Sequence, residues 1–171
     1  GGRTRDVPVA GDEDGAMTEL THLNEDGDVH MVDVGGKDVT DRVAVAEGFV
    51  DLDDATADLL FSGGLPKGDA LAVVRIAAIG GAKKAADLIP LCHPLPLTGV
   101  EVVVERADAG ARIEVTAKTR GRTGVEMEAM TGVSAGALAL YDMVKGVHRG
   151  ATIGPVRLLS KSGGRSGEWQ R

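Results

Sequence analysis

The stretch GVEVVVERADAGARIEVTAKTR, residues 99–120, narrows the possible folds more than any other part of this chain. Apolar and polar residues alternate through GVEVVVERA and again through ARIEVTAKTR, with Asp108-Ala109-Gly110 between them. Period-two alternation on both sides of a short turn predicts an antiparallel hairpin with one apolar face. The flanking segments offer the cover for that face. GDALAVVRIAAIGGAKKAADLI gives an apolar helical pattern from about 68 to 89, with Gly80 and Gly81 marking a weak point or a close contact. GVEMEAMTGVSAGALALYDMVKGV reads as one long helix. Its middle holds Gly132, Ser134, Ala135, Gly136 and Ala137, small enough to let another helix approach closely. VHMVDV (29–34) and RVAVAEGFV (42–50) read as strands, DDATADLLFSGG as a short capped helix, and VRLLSKSGGRSG as a strand entering a basic Gly/Ser tail. The fold class is therefore α+β, an antiparallel sheet with helices packed on one face. Residues 1–16 lack a core pattern and read as a disordered leader, with Met17 a candidate natural start. Residues 17–171 then form a single domain, with no repeat and no linker to split it.

Composition excludes several function classes. Aromatic residues make up 2% of the chain, too few for the stacking platforms that bind single-stranded nucleic acid. No apolar run approaches the length of a membrane span, and no signal peptide heads the sequence. A single cysteine, Cys92, cannot form an internal disulfide and fits a reducing, cytoplasmic setting. The net charge of −7 is uneven: residues 1–60 carry a balance of −12 and residues 61–171 a balance of +5. Cations gathered in one part of an acidic chain can focus a small anion, although a solvated surface accounts for the same pattern.

Several segments could carry chemistry. LIPLCHPLPLTG (88–99) sets Cys92 beside His93 among prolines at 90, 94 and 96, which exclude a regular helix and a central strand. Neighbouring side chains on an extended chain point to opposite faces, which argues against a Cys-His dyad. No CxxC or HExxH accompanies them, so the sequence gives no metal site. A ligand surface and a stiff corner both remain. In GRTGVEMEAM, Glu126 and Glu128 follow Lys118, Arg120 and Arg122, although carboxylates at a helix start need no function to explain them. Asp142 and Lys145 in YDMVK share a helix face, as an ordinary surface ion pair or as a proton-exchanging pair if burial lowers the lysine pKa. Fourteen residues separate Glu128 from Asp142, roughly 21 Å along a straight helix. If both serve one reacting centre, a neighbouring subunit must bring one of them. Lys67-Gly68-Asp69 could aim an ammonium at an anion near a helix start, and Lys161 with Arg165 in KSGGRSG could meet phosphate, although that segment lacks P-loop spacing. The remaining histidines, His22, His30 and His148, belong to no constellation.

LTHL (20–23), MVDV (31–34), KGDALAVVRIAAIGGAKKAADLIPLCHPL (67–95), TGVEMEAMTGVSAGALALYDMVK (123–145) and IGPVRLLSKSGGRSG (153–167) together resemble the molybdenum cofactor biosynthesis protein C family, the cyclic pyranopterin monophosphate synthases. The resemblance spans about residues 18–167. It implies a ferredoxin-like α+β subunit, a homohexamer of three dimers with interfacial sites, and a lyase reaction. That reaction converts 3′,8-cyclo-7,8-dihydroguanosine 5′-triphosphate to cyclic pyranopterin monophosphate, a molybdopterin precursor, with release of diphosphate. By motif match it implies catalytic roles for Asp142, Lys145 and Lys67. Substrate contacts are implied for Leu91, Cys92, His93, Met127 and Glu128, with Glu126, Arg42 and Lys161 as further members of the site. It implies no cofactor, no metal, no nucleic-acid partner and no membrane. A non-catalytic module that binds a nucleotide or pterin phosphate is the alternative, and it has no need of Asp142 and Lys145 together in a pocket. A structural oligomeric scaffold is a third reading, motivated by the small-residue helix.

Overall fold

The computed structural model describes residues 23–24 and 26–171. The leader 1–16, Met17, His22 and most of LTHL lie outside the described residues. Two compact units are present, 1–32 and 33–171. Within the described part of the first, Leu23 and Val29 form an isolated antiparallel bridge. The Asn24 side chain accepts hydrogen bonds from the backbone N–H groups of Asp26 (3.1 Å) and Asp28 (2.7 Å). The strand expected over 29–34 does not form, and only Val29 has a bridge partner. Backbone groups before it are satisfied by the Asn24 turn, and Gly35 N–H bonds to Asp33 Oδ1 at 2.7 Å. Side-chain-to-backbone turns thus bracket the segment on both sides.

The second unit runs β1 (Thr40–Asp51), α1 (Asp54–Ser62), α2 (Ala70–Lys83), α3 (Ala85–Leu88), β2 (Leu97–Ala107), β3 (Gly110–Gly121), α4 (Glu126–Val144), β4 (Thr152–Ser162) and β5 (Trp169–Gln170). The sheet order is β2-β3-β1-β4-β5, and every pairing is antiparallel. The first four strands and their helical crossovers make the ferredoxin-like arrangement. The β2–β3 hairpin turns at Asp108-Ala109, with Ala107 opposite Gly110. Gly110 has φ of 134°, and a Cβ there would lie 2.3 Å from the Val50 carbonyl oxygen, so only glycine fits where the hairpin meets the end of β1. The sequence places neither β5 nor the break at Lys84, where the expected 68–89 helix divides into α2 and α3.

Alternation on the strands turns Ala44, Ala46, Val50, Ala111, Ile113, Val115 and Ala117 toward the helices, and all are fully buried. Val74 and Ala78 of α2 and Val133, Ala137 and Leu140 of α4 meet them. The two helices approach closely because glycines sit at their crossing. A Cβ on Gly81 would stand 2.5 Å from the Ala135 Cβ, and one on Gly132 would stand 3.0 Å from the Ala78 carbonyl oxygen. Gly81 is thus a close contact within a continuous helix. With few aromatics to fill space, close backbone approach replaces side-chain volume.

The face of the sheet turned away from the helices is polar and half-buried. Glu47 on β1 lies between Arg112 of β3 (Nε to Oε2, 2.5 Å) and Arg157 of β4 (Nε to Oε1, 2.8 Å). Arg112 also donates to Glu105 at 2.7 Å and to Glu114. Burial raises the Glu47 carboxyl pKa, but the hydrogen bonds and charges of the two arginines outweigh it and hold the group below its ordinary value. This network ties four adjacent strands, β2, β3, β1 and β4, together across the sheet.

Candidate active site

Helix α4 organises both candidate clusters, one at each end. At its C-terminal end stands Asp142. Lys67, on the loop between α1 and α2, donates to Asp142 Oδ2 at 3.0 Å and to the Asp142 carbonyl oxygen at 2.7 Å. Lys145, three residues on, places Nζ 2.7 Å from Asp142 Oδ1. The loop that carries Lys67 is anchored by buried Leu65 and closed by a turn from Gly68 N–H to the Leu65 carbonyl (3.0 Å). Asp69, not Lys67, caps α2, accepting from Ala72 N–H at 3.0 Å. The lysine is therefore aimed at the C-terminus of α4, where a cation meets unpaired carbonyls and the negative end of the helix dipole.

Lys145 and then Lys67 hold the Asp142 carboxyl below its ordinary range, and Asp142 in turn holds the Lys145 ammonium above its own. The condition for easy proton release by the lysine, a pKa lowered by burial, is not met within one chain. The Asp142 side chain is 55% exposed and that of Lys145 50%. As the chain stands alone, this is a carboxylate gripped by two ammonium groups and open to solvent.

The N-terminal end of α4 differs. Glu128 is only 4% exposed, and burial, with the Glu126 charge adding to it, pushes its carboxyl above the ordinary range. The LCHPL corner supplies the neighbouring wall. Cys92 is half-buried, and burial, with the Glu128 charge adding to it, pushes its thiol above its ordinary range. A thiol kept protonated is a poor nucleophile. The corner turns through Cys92 N–H to the Ile89 carbonyl (3.0 Å) and is fixed to β3 by Thr119 Oγ1 donating to the Pro96 carbonyl (2.7 Å). Leu91 and His93 on it are half-buried, and Met127 at the start of α4 is 36% exposed.

Beside Glu126 opens a cleft of about 710 Å³. Its charged walls are the cations Lys37, Arg42, Arg122, Lys161 and Arg165 against the carboxylates Asp38 and Glu126, with Thr40, Gly164 and Ser166 beside them. Lys161 lies 3.6 Å from Glu126 Oε1 and donates to Ser166 Oγ. Arg42 Nε donates to the Gly121 carbonyl at 3.1 Å. Neither Arg122 nor Arg165 forms an ion pair with any described residue. Cations left uncompensated in a concave site favour a multiply charged anion. The hydroxyl of Thr40, on the same wall, is buried without a hydrogen-bond partner among the described residues. Sequence reasoning missed Lys37 and Thr40, which belong to no recognisable motif, and passed over Ser166 within the KSGGRSG tail; the fold brings all three to this wall.

The implied site residues thus fall into two groups. Glu126, Glu128, Met127, Leu91, Cys92, His93, Arg42 and Lys161 lie on elements around the start of α4, whereas Asp142, Lys145 and Lys67 lie at its end. Lys67, grouped by sequence with Lys161 and Arg165 as a phosphate cation, is absent from their cleft. His148, which the sequence left unassigned, accepts from Asp53 N–H at 3.4 Å and helps tie the N-cap of α1 to the loop after α4. Arg149 offers its carbonyl to the Tyr141 hydroxyl at 3.2 Å. Among the described residues no group of three or more His, Cys, Asp or Glu side chains is placed to hold a metal ion, and no helix is long and apolar enough to cross a membrane.

Fold and site together define a ferredoxin-like α+β protein with an anion-attracting cleft and a separate carboxylate–lysine cluster. The chain belongs to the MoaC family, whose model matches residues 31–164. It is 59% identical over 153 residues to the cyclic pyranopterin monophosphate synthase of Corynebacterium glutamicum (strain R), covering 90% of this chain and 98% of that protein. The synthase of the same name from Streptomyces avermitilis is 53% identical over 167 residues, covering 96% and 98%. That of Thermomicrobium roseum is 55% identical over 157 residues, covering 91% and 95%.

Proposed function

We propose that this chain is a cyclic pyranopterin monophosphate synthase of molybdenum cofactor biosynthesis. It is a lyase that converts 3′,8-cyclo-7,8-dihydroguanosine 5′-triphosphate to cyclic pyranopterin monophosphate and diphosphate. The observation that carries this reading is the pairing of a cation-lined cleft with a doubly gripped carboxylate, on a chain that matches synthases over nearly its full length.

The chemistry assigns a task to each cluster. Arg42, Arg122, Lys161 and Arg165 bind the triphosphate. Closing the cyclic phosphate requires a substrate hydroxyl to attack the α-phosphorus as the bond to the leaving diphosphate breaks, and these cations spread the charge that develops there. Rearranging the guanine-derived rings into a pterin requires successive proton transfers. Asp142 is held as a carboxylate and accepts protons; Lys145 is held as an ammonium and donates them. Glu128, whose burial favours its protonated form, can donate a hydrogen bond to a ring heteroatom. Cys92 is a contact residue beside it, and His93 shares the same rigid corner.

Since the two clusters lie about 21 Å apart along α4, a complete site joins the start of α4 from one subunit to the end of α4 from another. A closed oligomer, a hexamer of three dimers, supplies such interfaces, and burial at the interface would bring Lys145 the desolvation it lacks in one chain. The cytoplasm is the setting in which Cys92 stays reduced.

The direct test is incubation of the purified protein with the cyclised GTP intermediate, following pterin product and diphosphate. The two should appear in equal amounts. Tight binding without turnover would support a regulatory module instead, and absence of binding would support a structural scaffold.

A further inference from the structure

The KSGGRSG tail reads from sequence as a basic Gly/Ser segment whose Lys161 and Arg165 could meet phosphate. The structure gives its second glycine a different neighbour. A Cβ placed on Gly164 would stand 2.3 Å from Arg42 Nη1, 2.8 Å from its Cζ and 2.9 Å from its Nη2. The guanidinium plane therefore rests on the bare backbone of Gly164, in space that any other residue would fill. Arg42 is also held by its Nε, which donates to the Gly121 carbonyl at 3.1 Å. One contact comes from the turn after β4 and the other from the end of β3, while Arg42 itself sits near the start of β1. All three segments line the same cleft or end beside it.

The adjacent glycine shows that this is not a general property of the tail. A Cβ on Gly163 would stand 2.2 Å from the Asp41 carbonyl oxygen, which is backbone and cannot move aside. The fold itself demands Gly163. At Gly164 the obstructed atoms are all at the tip of one flexible side chain, so a substitution there displaces the guanidinium and leaves the backbone path intact.

We propose that Gly164 is a positioning residue for the reaction: its missing side chain is the seat of the Arg42 guanidinium, held ready for the phosphate oxygens of the substrate. This rests on the reading of the cleft as the triphosphate site. A guanidinium already seated loses little further freedom when the anion arrives, whereas a displaced one must be reordered and reaches the phosphates at a poorer angle. Ground-state phosphate binding is where the loss should appear, with the proton-transfer steps at Asp142 less affected.

A matched control exists in the same tail. Gly164 has φ of 74° and Gly167 has φ of 63°, so alanine at either pays the left-handed backbone cost, but nothing lies within 4 Å of a Cβ on Gly167. Gly164→Ala, Gly164→Asn, Gly167→Ala, Arg42→Ala and the double variant Arg42→Ala with Gly164→Ala should be compared for KM, kcat and competitive inhibition by diphosphate. Asn bears the left-handed conformation more readily than Ala while keeping the obstructing Cβ. Both Gly164 variants should raise KM and weaken diphosphate inhibition about tenfold, with kcat changed less. Gly167→Ala should stay within about twofold of wild type, and the double variant should be no worse than Arg42→Ala alone. Equal losses at Gly164 and Gly167, multiplying losses in the double variant, or failure of both Gly164 variants to fold would overturn the assignment. Undiminished diphosphate binding by Arg42→Ala would instead overturn the phosphate reading of the cleft, which is a separate failure.

Discussion

Helix α4 carries a carboxylate near each end, and the two are prepared for opposite work. Glu128, in the first turn, is 4% exposed, and burial pushes its carboxyl upward. Asp142, in the last turn, has a side chain 55% exposed and is held downward by Lys145 and Lys67. When environments drive two titratable groups apart, the raised one is suited to give a proton or hydrogen bond and the lowered one to take it. Both residues belong to one rigid helix, so the separation in chemistry is also a fixed separation in space. The molecule thus holds two oppositely tuned carboxylates apart on one helix, and the proposed function makes them the two halves of an acid–base site.

The largest expected effect comes from removing either half. Asp142→Asn and Glu128→Gln should each lower kcat by roughly 10²- to 10⁴-fold, measured as pterin formation, while diphosphate still binds. An Asp142→Asn variant with full activity would remove the contrast, leaving Asp142 a surface ion pair.

A third carboxylate sharpens the comparison. Glu47 is also gripped by two cations, but they are arginines, and its side chain is only 6% exposed. Glu47→Ala leaves Arg112 and Arg157 facing each other without their shared anion, and should cost about 3 kcal/mol in denaturant unfolding, the lower end for a broken buried pair because Arg157 is partly solvated. Per folded molecule, kcat should not change. Stability lost without chemistry at Glu47, against chemistry lost without stability at Asp142, would show that burial separates the structural grip from the catalytic one. A large fall in kcat for Glu47→Ala would blur that division.

The smallest effect is a pH signature. Raising a carboxyl pKa in the folded state means that the ionised group costs stability at neutral pH, a cost removed as pH falls through the folded value. Glu128→Gln should therefore melt at a higher temperature than wild type at neutral pH, and the gap should close on acidification. Asp142→Asn should behave in the opposite sense. Its lowered pKa contributes stability above the unfolded value, lost as pH falls through the folded one, and solvent exposure keeps that contribution small. Melting curves of both variants between neutral and acidic pH check the two signs together.

Much of this arrangement was legible in the sequence where one physical rule dominated. Alternation in 99–120 fixed the hairpin, and the small residues of 132–137 gave the close helix packing found at Gly81 and Gly132. The 14-residue spacing from Glu128 to Asp142 already meant that, if both serve one reacting centre, a second subunit must bring one of them. The rest depended on long-range placement. Nothing local distinguishes a VHMVDV that pairs from one bracketed by turns at Asn24 and Asp33 and bridged only at Val29. Lys67 beside Gly68-Asp69 read as aimed at α2, and only the fold turns it to the end of α4. The motifs named Arg42, Lys161 and Glu126, but not the wall that joins them, because the segment with Lys37 and Thr40 meets Ser166, far along the chain, only in the fold. Spacing alone left each pair readable as a helix start or a surface ion pair, and the fold adds that the two pairs occupy opposite ends of α4.

The central claim, that each active site joins the start of one α4 to the end of another, is tested most directly by mixing. Glu128→Gln and Asp142→Asn variants, each nearly inactive alone, should be dissociated, combined in equal amounts and reassembled, with mixed oligomers verified by native mass. If each site draws its two carboxylates from different chains, about a quarter of the sites receive both intact, and about a quarter of wild-type turnover should return. Mixed oligomers that form but recover no activity would contradict the claim.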